Sequence, residues 1–127
     1  MKNIFYNALL FVLGANLTAC SNQITELQRV TNASKSLDAV VAVKETDATV
    51  ATPTEIFVVP SGQNAKDNPV FRADNIEGLV VSWENDSNLI IRAKKARVFL
   101  DRETVVIDIP GSGKEAISVN LQIMERR

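Results

Sequence analysis

The sequence predicts an all-β fold: six or seven antiparallel strands in meander order, forming a small sheet or sandwich with little helix. Two observations carry this. Beyond residue 36, short runs of β-branched and aromatic residues alternate with turn signals. The last run then alternates strictly, Ile117, Val119, Leu121 and Ile123 against Ser118, Asn120, Gln122 and Met124, as on a sheet with one buried face.

The strands follow in order. Asp38–Lys44 (DAVVAVK) is the first, and Thr54–Val59 (TEIFVV), closed by Pro60-Ser61-Gly62, is the second. Gly78–Trp83 and Asn88–Arg92 flank Glu84-Asn85-Asp86-Ser87, which reads as a hairpin turn. Arg97–Leu100 and Val105–Ile109 flank a second expected hairpin at Asp101–Thr104, and Pro110-Gly111-Ser112-Gly113 is a turn before the final strand. Trp83, Phe57, Phe71 and Phe99 are the large side chains available for the core. A domain of about 90 residues buries only about 60% of its unfolded surface, so modest stability is expected.

Composition excludes several function classes. The chain has 127 residues, enough for one domain, with Lys+Arg 14 against Asp+Glu 15. That balance lacks the basic excess of a general nucleic-acid binder. Histidine is absent and Cys20 is the single cysteine, so imidazole acid–base chemistry, an internal disulfide and a multi-cysteine metal site are all unavailable. The expectation is no catalytic residue, no metal and no cofactor.

The first residues point to a location. Lys2 precedes an apolar stretch from Ile4 to Leu17, interrupted by Asn7, Gly14 and Asn16, which is too short for a comfortable bilayer span. Leu17-Thr18-Ala19-Cys20 resembles the bacterial lipobox. The resemblance implies that the Cys20 sulfur becomes a diacylglyceryl thioether, that a peptidase cuts before it, and that its new amino group is usually acylated in turn. Thiolate nucleophilicity is the reason for a cysteine there, and two or more acyl chains anchor stably where one does not. Ser21 after the cysteine favours, by the same resemblance, the outer membrane facing the periplasm. The expected organisation is a signal peptide over 1–19, a lipidated cysteine with a polar tether or short amphipathic helix over 20–36, and a β domain over 37–127. Ile24, Leu27 and Val30, spaced by three, are the basis for the helix option. In a bacterial setting the sequons at Asn16, Asn32 and Asn85 are chance matches.

Residues 34–101 further resemble a family of small uncharacterised bacterial envelope β domains. The resemblance rests on the strand ending Val59-Pro60-Ser61-Gly62, the segment Val70-Phe71-Arg72-Ala73-Asp74, the strand ending at Trp83 and the Ala96-Arg97-Val98-Phe99 stretch. Asp47 and Val50 stand where the family's turn has Gly and Thr, and Ala93 where it often has an aromatic. The resemblance implies an all-β envelope domain and brings no activity.

Three motifs need weighing. Pro110–Glu115 lacks the first Gly and the hydroxyl residue of a phosphate-binding loop, and reads as a β-turn. Asp67-Asn68 with Asp74-Asn75, or Asn85–Asn88, offers oxygen ligands in no established calcium-loop pattern, and solvated loop charges explain them better. Arg92, Lys94, Lys95 and Arg97 form a basic stretch in which Arg92 and Lys94 share one face and Lys95 and Arg97 the other. It would touch anionic lipid headgroups, cell-wall polymer or an envelope protein, or else simply discourage edge-to-edge strand pairing. The leading functional expectation is a non-catalytic, lipid-anchored envelope domain. A hydrolase using paired carboxylates such as Asp74 and Asp86, or its accessory subunit, is one alternative. An inhibitor or toxin-neutralising lipoprotein is the other.

Overall fold

The computed structural model describes residues 24–44 and 52–126, the last in its backbone alone. The expectations for the signal peptide, Cys20 and the Asp47–Val50 turn lie outside these residues. The described residues form eight strands and no helix: β1 (Ile24–Thr31), β2 (Leu37–Lys44), β3 (Thr54–Pro60), β4 (Phe71–Glu77), β5 (Val80–Asn85), β6 (Asn88–Asp101), β7 (Thr104–Ile109) and β8 (Gly113–Arg126). The described residues are all-β, as the sequence predicts.

The strand order is β1-β2-β3-β4-β6-β8-β7, with β5 also pairing with β6. β4 and β5 lie end to end along one edge of the long β6, β5 on Asn88–Arg92 and β4 on Lys95–Asp101. Every pairing is antiparallel except β6 with β8, which runs parallel from Asn88↔Ser118 to Ala96↔Arg126. This departs from a pure meander. The expected hairpin at Asp101–Thr104 does not form: β7 pairs with the first part of β8, Gly113–Ser118, and the rest of β8 pairs in parallel with β6. The turn at Pro110-Gly111 does form a tight hairpin, with Ser112 N–H donating to Ile109 O at 3.0 Å and Gly111 at φ 81°.

The sheet folds over into two layers. Leu37, Ala39, Val41, Ile56, Val58 and Phe71 of β2–β4 pack against Val81, Leu89, Ile91, Ile117 and Val119 of β5, β6 and β8 in one core. Burying each such side chain fully contributes about 1.5–3 kcal/mol. β6 belongs to both layers, and the fold-over falls at its middle. Ala93 and Ala96, three apart, are both buried, so the strict alternation slips between them. Opposite, β4 carries an irregularity between Asp74 and Glu77, with Asn75 at φ 50°. An extra residue in one strand bends it and increases its twist, and small side chains leave room for the bend. At the borders β1 lies against β5 and β3 against β7.

Residues 24–31, read from the sequence as tether or short helix, are the edge strand β1. Leu27 is the inserted residue of a bulge, since Glu26 pairs with Ala42 and Gln28 with Val41, and it is 59% exposed. Ile24 packs against the outer apolar cluster, Val30 against the main core and Leu27 against neither, so the spacing of three marks no single buried face. The C-terminal half of the strand is tied down: Trp83 Nε1–H donates to Val30 O at 2.8 Å. Phe99, expected in the core, is 53% exposed, with the Arg97 guanidinium 5.2 Å from its ring centroid.

A second, smaller apolar cluster, Val40, Ala42 and Phe57 with Ile24, Val59 and Ala65, covers the outer face of β2 and β3. With both faces covered, β2 reads as a nearly continuous apolar run. The exception on its outer face is Asp38, 1% exposed. Its carboxylate accepts from Arg29 at 2.7 Å, Thr31 Oγ1 at 2.7 Å, Ser61 Oγ at 3.1 Å and the Gly62 N–H at 3.0 Å. Burial opposes its ionisation, but these donors outweigh burial and hold the carboxyl down at about 2. Asp38 thereby pins β1, β2 and the turn after β3.

Candidate functional site

The basic stretch lies at the bend of β6, and the structure redistributes its four cations. Arg97 forms a two-pronged ion pair with Asp74 of β4, its Nε donating to Oδ1 at 2.8 Å. Hydrogen bonding from Arg97 lowers the Asp74 carboxyl below its ordinary value. Lys95, half-buried, pairs with Glu125 of β8 at 3.5 Å. These two cations are committed to neighbouring strands.

Arg92 and Lys94 share the outward face, as their spacing predicts. Register places them in two rows across the sheet. Val80, Arg92 and Gln122 form one, and Arg92 Nε–H donates to Gln122 Oε1 at 2.9 Å. The second holds Gly78, Lys94 and Met124. A methyl group on Gly78 would sit 3.5 Å from Lys94 Cβ, and its φ of 66° turns the chain from β4 into β5. The rows border a groove of about 410 Å³ floored by Ala93 and Ile123. Val80 is 54% and Met124 82% exposed, so the groove pairs apolar walls with two cations, and no carboxylate lines it. The Lys94 side chain makes no ion pair or hydrogen bond among the described residues. Sequence reasoning found the cations but missed Val80, Gln122 and Met124. Met124 sits at an outward position of the alternating run, where an apolar residue breaks the pattern; that was the available signal.

The carboxylates singled out from sequence do not converge. Asp74 belongs to its ion pair on β4, whereas Asp86, in the β5–β6 turn, accepts the Ser34 N–H at 2.8 Å. Asp67 and Asn68 instead line a cleft of about 530 Å³ between β3 and β7, which also holds Arg102. Among the described residues no three acidic, His or Cys side chains are grouped to hold a metal ion. The Asn32 sequon residue is 2% exposed: its amide donates to Ser36 Oγ and Asp86 O and accepts from the Ser36 and Leu37 N–H groups. That asparagine is a structural clasp between two turns. No family model, no curated protein and no solved structure matches this chain.

Proposed function

We propose that the chain is a lipid-anchored bacterial envelope protein, outer-membrane and periplasm-facing, whose β domain works by contact and not by catalysis. The observation that carries this reading is Leu17-Thr18-Ala19-Cys20 at the end of a short, cation-led apolar stretch, placed just before a folded β domain that begins at Ile24. The composition supports the non-catalytic part, since neither histidine nor a second cysteine is present. The separate partners of Asp74 and Asp86 support it further, because a glycosidase-type carboxylate pair must face one cleft. The groove, with its apolar walls and paired cations, is the surface we assign to contact with an envelope component.

The test is metabolic labelling with an alkyne-bearing palmitate in a two-membrane bacterium, followed by mass analysis of the N-terminal peptide. The wild-type chain is expected to carry label and to begin at Cys20, and Cys20→Ser to carry none. An unlabelled wild-type chain overturns the anchoring. Turnover of a cell-wall polymer by the purified protein, abolished by Asp74→Asn or Asp86→Asn, overturns the non-catalytic part.

A further inference from the structure

We infer that the groove formed by Val80, Arg92, Lys94 and Met124 is a membrane-facing surface, held against anionic phospholipid headgroups by the anchor; this rests on acylation of Cys20. Length sets the first constraint. Only Ser21, Asn22 and Gln23 separate Cys20 from the first residue of β1. Four residue steps span at most about 14 Å even fully extended. The domain therefore does not float free of the bilayer, and the end that carries Ile24 stays beside it.

The topology identifies what else lies at that end. β1 and β5 run side by side in the same direction. Trp83 donates to Val30 O, and beyond it Asn32 and Ser34 bond to Asp86. The ends of both strands thus meet at one set of turns, and their beginnings, Ile24 and Val80, lie at the opposite end. Val80 is in register with Arg92, and Arg92 with Gln122, so the groove belongs to the anchored end. The turn at Pro110–Ser112 belongs to the far end, sharing a recess with Ser34 and Ser61.

Charge and polarity select the occupant. Arg92 and Lys94 face a groove without a carboxylate, and Glu125 nearby is already neutralised by Lys95. A cation near an anionic leaflet is favoured by about 1 kcal/mol within roughly one Debye length, about 8–10 Å at physiological salt. The leash reaches about 14 Å only when fully extended, so any slack lets this end come within that range. Val80 and Met124, exposed to water here, reach the acyl boundary when the cations engage headgroups.

The mature acylated protein tests this directly. Because Cys20 sulfur is a thioether in that form, Met124→Cys creates a single free thiol for a fluorescent label. Ser112→Cys does the same at the far end. In vesicles of phosphatidylethanolamine with phosphatidylglycerol carrying a spin-labelled lipid, the label at 124 is expected to be strongly quenched and that at 112 little. Arg92→Gln with Lys94→Gln should weaken the contact about fivefold for each cation, and Arg92→Glu with Lys94→Glu more, as high salt should also weaken it. Equal quenching at the two positions, or quenching at 124 unmoved by charge reversal, overturns the membrane-facing groove while leaving the anchor intact. An N-terminal peptide without acyl mass overturns the anchor, and the groove's assignment with it.

Discussion

At the scale of single residues, the least replaceable polar group is Asp38. A buried charge is tolerated only when its partners saturate it, and here four donors from two segments, β1 and the turn after β3, do so. Removing the charge leaves Arg29 with Glu26 and the Gln63 carbonyl, and takes the acceptor from the Gly62 N–H and two hydroxyls. Asp38→Ala should therefore destabilise the domain by about 3–5 kcal/mol in urea titrations, the range for breaking a buried pair. The same group makes stability pH-dependent. Its carboxyl titrates at about 2 when folded, below its ordinary value of 3.8. The unfolded chain thus binds the proton first as pH falls, and the stabilisation, complete above about pH 5, disappears as pH drops through 2. That contribution is about 2 kcal/mol. Urea midpoints measured between pH 6 and 2 should show it in the wild type and show a shallower slope in Asp38→Asn. Equal slopes would assign the acid sensitivity to other carboxylates.

At the scale of elements, strands with one clean apolar face were readable and strands carrying an irregularity were not. β2, β3, β7 and the alternating part of β8 announce themselves, since each offers three or more apolar residues at regular positions. β1 was hidden by its bulge at Leu27. β4 was hidden because its outward residues are charges whose partners lie elsewhere: Arg72 binds Glu55 of β3 at 2.8 Å and Asp74 binds Arg97 of β6. Two expected strands, Asn88–Arg92 and Arg97–Leu100, are one, because Lys94 and Lys95 sit at a bend that sequence cannot distinguish from a turn. The candidate groove was half legible for the same reason. Its cations are local in sequence, but Val80 and Met124 join them only through β5–β6 and β6–β8 pairing. Gly78 connects two strands that run in the same direction along β6. Space exists for a methyl group there, but its φ of 66° does not suit an L-residue. Gly78→Ala should therefore lower stability by about 1–2 kcal/mol through backbone strain, without overpacking. Gly62→Ala, also at positive φ but with nothing within 4 Å, is the reference for strain alone. A loss at Gly78 much larger than at Gly62 would show that contact with Lys94 matters as well.

At the scale of the whole molecule, the two layers share β6, and this determines how the domain unfolds. A sandwich of separable sheets can lose one layer first. Here β6 carries β5 and β8 on its first half and β4 on its second, so neither layer keeps its pairing if the other dissolves. Unfolding should be a single cooperative transition. Trp83 reports on it well, being the only tryptophan and lying where β5 meets β1. Its fluorescence and far-ultraviolet circular dichroism should give the same urea midpoint. A Trp83 transition preceding the loss of strand signal would mean that the β1–β5 border opens independently. Kinetics should follow from the same topology. The parallel β6–β8 ladder joins segments 30 residues apart, Asn88 with Ser118, so folding is expected on the millisecond-to-second scale of all-β domains. Ile117, fully buried in β8 near the start of that ladder, is the informative probe. Ile117→Val should cost about 1 kcal/mol. If the ladder is part of the transition state, that loss appears mainly as slower refolding; if it forms late, as faster unfolding.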